Sequence, residues 1–313
     1  SKRHTHKLTS LTSLIPIAFD PTYRLPLAEN HRFPMEKYEL LPQQLLLEGT
    51  CEPEDFFVPQ AAKMNQVLKV HLKKYVDRLC NLELSRNEIR SIGFPLSEAL
   101  IKREFLIAGG TIMGAEKALD FGISMNIAGG THHAFSDRGE AFCLLNDQAI
   151  GAKHLLDKGY AKKILILDLD VHQGNGTASI FKNYQDVFTC SVHGTKNYPF
   201  KKEISNLDIE MEDQCSDKAY IDQIKNLLPK LYKQVKPDFI FYLCGVDILE
   251  SDKLGRLSVS IDGCKKRDEL VLSFFKEKNI PIQCSMGGGY SKDLKVIIDA
   301  HANTYRVAKN LFI

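Results

Sequence analysis

Three groups of residues in this chain have types and spacings suited to chemistry. Asp168, Asp170 and His172 stand at i, i+2 and i+4 within KKILILDLDVHQGNGT, which opens at Lys162 and closes at Thr177. In extended chain that spacing puts all three side chains on one face. The apolar Ile164–Leu167 ahead of them reads as a strand buried on both faces. Gly174-Asn175-Gly176 should break it, and Thr177 should cap a short helix over Ala178–Asn183. Two carboxylates and an imidazole meeting at the end of a buried strand are costly unless paired, and a metal ion is the simplest partner. The second group is His132-His133, a pair able to supply a general base and a general acid. The third is Gly287-Gly288-Gly289-Tyr290, whose tyrosine can donate a hydrogen bond to a developing oxyanion.

Each group also has an ordinary reading. Adjacent histidines can be core or surface residues, and a glycine run can be a tight turn closed by an aromatic. Asp247, which follows another apolar run, is on its own a natural helix N-cap. Position along the chain shifts the balance. Apolar strands are expected at Met125–Ala128, Ile164–Leu169, Val187–Val192, Phe239–Cys244 and Pro281–Met286. They end, in turn, in Gly129–His133, Asp168/Asp170/His172, Ser191-Val192-His193, Gly245-Val246-Asp247 and Gly287–Tyr290. Parallel α/β sheets place sites just beyond the carboxyl ends of their strands, so five such endings can face one pocket. Asp170, His172 and Asp247 then form a three-ligand set with one position open, the pattern of catalytic zinc. Ligand type alone also admits iron(II).

The elements that must hold these residues follow from periodicity. A first strand is expected around Ile15–Ala18. Helical spacing appears at Met35–Glu48, Ala61–Arg78, Leu96–Asp120, Cys143–Lys158, Lys218–Gln234, Asp262–Lys278 and Leu294–Leu311, with Gly109-Gly110 marking a break or a close contact. Alternating strands and helices predict a mostly parallel sheet covered on both faces, a single-domain α/β fold of three layers over residues 14–313. Residues 1–13 are basic and polar and are expected to be disordered. Because the chain opens on Ser1, a trimmed leader is compatible with it.

Composition narrows the function. The 313 residues carry 41 basic and 39 acidic side chains, a net charge of +2. That leaves no electrostatic case for direct nucleic-acid binding. No apolar run approaches the ~20 residues of a membrane span. Eight scattered cysteines, with no C-x-x-C pair, argue against a disulfide framework or a zinc finger and for a reducing compartment. Cytoplasm is the expected location, or the nucleus in a eukaryote.

Taken together, GGTHHAFSDRGEAFCLLND, LDLDVHQGNGT, CSVH, CGVDILESDKLGRLSVS and MGGGYS resemble the histone deacetylase family of the arginase/deacetylase fold, over nearly the whole chain from Ile15. HRFPMEKY, and Asn175 where many members have Asp, are similar to the class IV branch and its bacterial relatives. The resemblance implies zinc on Asp170, His172 and Asp247, with His133 as general base and then acid, oriented by Asn175. It also implies that His132 pairs with Asp168 and that Tyr290 polarises the acyl carbonyl. Asp168, Asp170, His172, Ser191 and Val192 match the family's potassium site. Ala141, Phe142, Leu254 and Gly288 match residues that contact the acyl-lysine substrate.

Two departures stand out. Ala141 replaces the family's usual Gly, and Asn175 cannot carry the charge that would make His133 more basic. Thr195–Lys202, with the aromatics Tyr198 and Phe200, should form a channel wall.

The implied activity is hydrolysis of Nε-acyl-lysine in a protein or peptide. Acetylated polyamines or other small acylamines are the rival substrates, but no dimer-building insertion is visible. A two-manganese ureohydrolase site would need further D-x-H-x-D ligands, and Gln173-Gly174 follow His172 instead. A non-catalytic acyl-lysine binding module would lack a catalytic group, and none is missing. Near-zero net charge gives no reason to assume a histone substrate. Acyl-chain length and oligomeric state are not written in the sequence.

Overall fold

The computed structural model describes residues 14–313; the expectation for residues 1–13 lies outside it. In chain order the described residues form β1 (Ile17–Ala18), α1 (Lys37–Leu47), β2 (Phe56–Phe57), α2 (Met64–Val67), α3 (Lys73–Cys80), α4 (Arg86–Ile92) and α5 (Glu98–Phe121). Next come β3 (Ile123–Asn126), α6 (Asp147–Asp157), β4 (Ile164–Asp168), α7 (Asn175–Ile180), β5 (Val187–Gly194) and β6 (Leu207–Met211). The chain closes with α8 (Asp217–Val235), β7 (Phe239–Leu243), α9 (Ile261–Glu277), β8 (Ile282–Ser285) and α10 (Leu294–Phe312).

All eight strands join one parallel sheet in the order β2-β1-β3-β8-β7-β4-β5-β6. Every residue of β3, β4, β7 and β8 is buried. Both faces of the sheet are therefore covered, which is the condition under which an unbroken run such as Ile-Leu-Ile-Leu-Asp makes a stable strand. The expected architecture is the observed one. The order also brings β3, β8, β7, β4 and β5 side by side, so the five polar strand endings are neighbours along one edge.

Local rules explain most element limits. α5 is one unbroken helix, capped by the Ser97 side chain at its start and ended by Gly122 at φ 82°. Gly109 within it is a close contact and not a break, because a Cβ there would lie 1.7 Å from the Gln60 carbonyl oxygen. The expected helix over Ala61–Arg78 is two short helices, with Leu72 held out of register by its amide hydrogen bond to the Ser136 carbonyl. Cys143–Asn146 precede α6 and do not join it; Asn146 is its N-cap and accepts from the Ala149 amide. Thr177 is likewise no cap. α7 starts two residues earlier, and the Thr177 hydroxyl accepts from Asn146 Nδ2 at 3.1 Å. Apolar spacing does not reveal α4, although its capping box, Ser85 with Glu88, is legible. Nor does it reveal β2 and β6, which form the two edges of the sheet and are only half-buried.

Candidate active site

β4 ends at Asp168, so the run to His172 is not extended throughout, and its side chains divide between two tasks. Asp168 turns to His132, with Oδ2 2.5 Å from Nδ1. Asp170 and His172 instead meet Asp247 from beyond β7. Ligand atoms of these three buried residues all lie within 4.8 Å of one another. His172 Nδ1 is 3.1 Å from both Asp170 Oδ1 and Asp247 Oδ2. Backbone amides fix the carboxylates: Val171 donates to Asp247 Oδ1 at 2.9 Å, and Gly288 to Asp170 Oδ2 at 2.8 Å. Only glycine fits at position 288, because a Cβ there would lie 2.2 Å from Asp247 Oδ2. Asp247 is therefore no helix cap; the next helix starts at Ile261.

The electrostatics of this trio call for a cation. Burial, and then the charge of Asp170, push Asp247 up to about 7. Burial alone would lower His172, but Asp170 and Asp247 outweigh it and raise the imidazole well above its usual value. Two buried carboxylates thus draw a proton onto the one neighbouring base. A divalent ion would satisfy the same need with oxygen and nitrogen donors of the right kind, so the residues fit a zinc site.

The two adjacent histidines differ in their partners. His132 has a carboxylate; Asp168 and Asp170 overcome the effect of burial and raise it to about 9. His133 has an amide, with Nδ1 2.7 Å from Asn175 Oδ1. That oxygen also accepts from the Gly176 amide, while Asn175 Nδ2 donates to Glu140 Oε2 at 3.4 Å. The amide is thereby oriented, His133 Nδ1 carries the hydrogen, and Nε2 is left with its lone pair. Burial, then His132 and His172, hold His133 well below the ordinary histidine range. It is a neutral base.

Asp170 and His172 border a cavity of about 630 Å³. Ala141, Phe142, Leu254, Gly288 and Tyr290 all border it, as do His132 and His133. Tyr290 is held by its own amide, which donates to Asp252 Oδ2 at 2.7 Å, and its ring packs 6.1 Å from Phe142 and 6.4 Å from His172. Burial and the nearby Asp170 and Asp247 keep its hydroxyl protonated. Ala141 and Phe142 both have positive φ, 41° and 68°, and their amides donate to the Ser91 and Ile92 carbonyls.

Several residues at the site are given no individual role by the sequence. Phe33 packs edge-on against Phe142, with ring centroids 4.9 Å apart, and both border the cavity. The Tyr198 ring stands edge-on to His133 at 5.0 Å, and its hydroxyl donates to Glu140 Oε2 at 2.5 Å. Thr195–Lys202 therefore does contribute a wall. Buried Lys37 donates to the Gly289 carbonyl at 3.3 Å beneath the Tyr290 ring, and burial lowers it to about 8. Arg103, Ile107 and Tyr38 line the cavity beyond the histidines. Helical phase cannot aim such residues at a site built by other strands.

One expected ending does not reach the cavity. Ser191 and His193 bond each other in the interior, and the loop after β5 lines the cavity in their place. Asp168 and Ser191 are register partners on β4 and β5. That pairing is compatible with a potassium ion there but does not by itself call for one.

Comparison with known proteins follows the same lines. Residues 31–305 match the model of the histone deacetylase domain. An uncharacterized protein of Picosynechococcus sp. is 40% identical over 297 residues, covering 95% of this chain and 99% of the relative. Histone deacetylase 2 of Arabidopsis thaliana is 29% identical, covering 88% of this chain and 74% of its own length. Among solved structures, an HDAC homolog complexed with SAHA superposes with a TM-score of 0.82 at 22% identity, covering 95% of this chain and 84% of that one. An HDAC homolog from Aquifex aeolicus gives 0.79 at 22% identity, covering 93% of this chain and 83% of that one.

Proposed function

Because the chain belongs to the histone deacetylase family, we propose that it hydrolyses the amide bond of Nε-acyl-lysine in proteins or peptides, with zinc held by Asp170, His172 and Asp247. The observation that carries this reading is the buried Asp-His-Asp trio set against a neutral histidine, at the side of an aromatic-walled cavity. When bound, zinc would supply Lewis-acid polarisation of the carbonyl and lower the pKa of water.

The protein's own groups do the rest. His133 Nε2, free of a hydrogen, takes the proton from the attacking water; the same nitrogen then returns it to the departing lysine amine. Asn175 keeps the ring in the tautomer that makes this possible. His132, paired with Asp168, holds a positive charge beside His133 and so disfavours a proton resting there. The Tyr290 hydroxyl donates to the acyl oxygen as negative charge builds on it. Phe142 and the other aromatic side chains of the cavity wall contact the apolar lysine stem and exclude water, which strengthens each polar interaction inside. The acyl group extends toward Ile107 and Tyr38.

The test is zinc-loaded protein with one lysine peptide bearing acetyl, octanoyl or myristoyl groups. Chelator-sensitive release of the free lysine peptide is expected, and the chain that turns over fastest measures the usable depth. No release from any of the three would refute the reading.

A further inference from the structure

The mouth of the cavity carries charge of one sign. Arg32, Lys196, Lys253 and Arg256 line it, supplied by three separate loops, whereas among the described residues Asp170 at the metal trio is the only carboxylate residue on its wall. Nearby acids are turned to other work. Asp252 accepts the amides of Leu254, Gly255 and Tyr290. Glu140 is taken by Arg138 and the Tyr198 hydroxyl. Asp213 binds Arg256 at 2.6 Å and reaches Lys196 only at 4.0 Å. Arg32 stacks over the Phe142 ring at 5.1 Å, and neither it nor Lys253 has an ion-pair partner among the described residues. Since the whole chain is nearly neutral at +2, this is a local concentration and not a general excess.

A low-dielectric cleft ringed by one sign of charge focuses its field outward and raises the local concentration of oppositely charged ligands. We propose that the rim selects acyl-lysines flanked by aspartate and glutamate, and disfavours lysine- and arginine-rich segments such as basic tails. Exposed Phe200, with 89% of its surface accessible, stands on the same rim and offers an apolar contact beside the acidic residues. The inference rests on the deacylase reading and adds to it the chemistry of the substrate's surroundings.

The experiment uses three peptides with the same acyl-lysine and flanks of Asp/Glu, Ser/Ala or Lys/Arg, assayed with the zinc-loaded protein at low and raised salt. The acidic peptide should exceed the basic one in kcat/KM by about ten-fold at low salt, and salt should shrink the gap by screening the rim. The double variant Lys196→Glu/Lys253→Glu should reverse the ranking. Equal turnover of the three peptides, or preference for the basic one, overturns the inference while leaving the deacylase reading intact. Hydrolysis of none of them overturns both. Inhibition by anionic vesicles without discrimination among the peptides would assign the rim to a membrane surface and overturn it as well.

Discussion

The Tyr290 hydroxyl offers a sharp test of the chemistry because the fold does not use it. Its ring is packed among Phe33, Phe142 and His172, and its amide is anchored on Asp252, but the hydroxyl has no hydrogen-bond partner among the described residues. Tyr290→Phe therefore removes one oxygen from the cavity and orphans nothing. A donor aimed at a developing oxyanion in a water-excluded site contributes about 2.7–4 kcal/mol, or roughly 10²–10³ in kcat. The range applies here because the hydroxyl of half-buried Tyr290 lies near Asp170 and Asp247 and stays protonated as a donor. The assay is steady-state hydrolysis of an acyl-lysine peptide, with zinc content and thermal melting measured on the same preparation. We expect kcat and kcat/KM to fall together, the mark of an interaction made in the transition state. Zinc content should be unchanged, and the melting temperature should move by less than about 2 °C. Full activity would refute the assigned role. A loss accompanied by zinc release or unfolding would show that the hydroxyl serves structure instead.

Three further outcomes follow from the same geometry. Asp247 is held up to about 7 by burial and Asp170, and His172 is raised well above its usual value, so below pH 7 zinc must displace a proton from each to bind; affinity should weaken roughly a hundred-fold for each pH unit below that value, and Asp247→Asn should abolish most binding, with a metal titration at pH 6 and pH 8 as the check. Ala141 sits at φ 41°, where an L side chain is strained and glycine is not; Ala141→Gly should stabilise by about 0.5–1 kcal/mol, and a fall in the denaturation midpoint would contradict this. Asn175→Asp would put a carboxylate 2.7 Å from His133 Nδ1 and favour its protonated form. Because the base works deprotonated, the acid limb of the pH profile of kcat/KM should move to higher pH, and an unmoved limb would remove Asn175 from the account.

The chain itself determined a good deal. Apolar runs of strand length alternating with helical periods dictate a parallel sheet covered on both faces, since only burial on both sides makes Ile164–Leu167 or Phe239–Leu243 stable. Polar residues immediately after such runs must then gather at one edge, and that was enough to nominate Asp170, His172, Asp247, His132, His133 and Tyr290. Other features depended on through-space contacts that no local spacing encodes. Asp170 and Asp247 are distant in sequence and share His172 only because β4 and β7 are neighbours in the sheet. Ser191 and His193 carry the same local signal as the strand-end residues that line the cavity, yet they bond each other in the interior. Phe33, Tyr198 and the basic rim come from loops whose paths are set by what they pack against, not by their own propensity. Periodicity reports which face of an element is buried; it carries no information about which distant loop will close over that face. The candidate catalytic residues are therefore legible in the sequence, while the walls and rim of the cavity are decided by the tertiary structure alone.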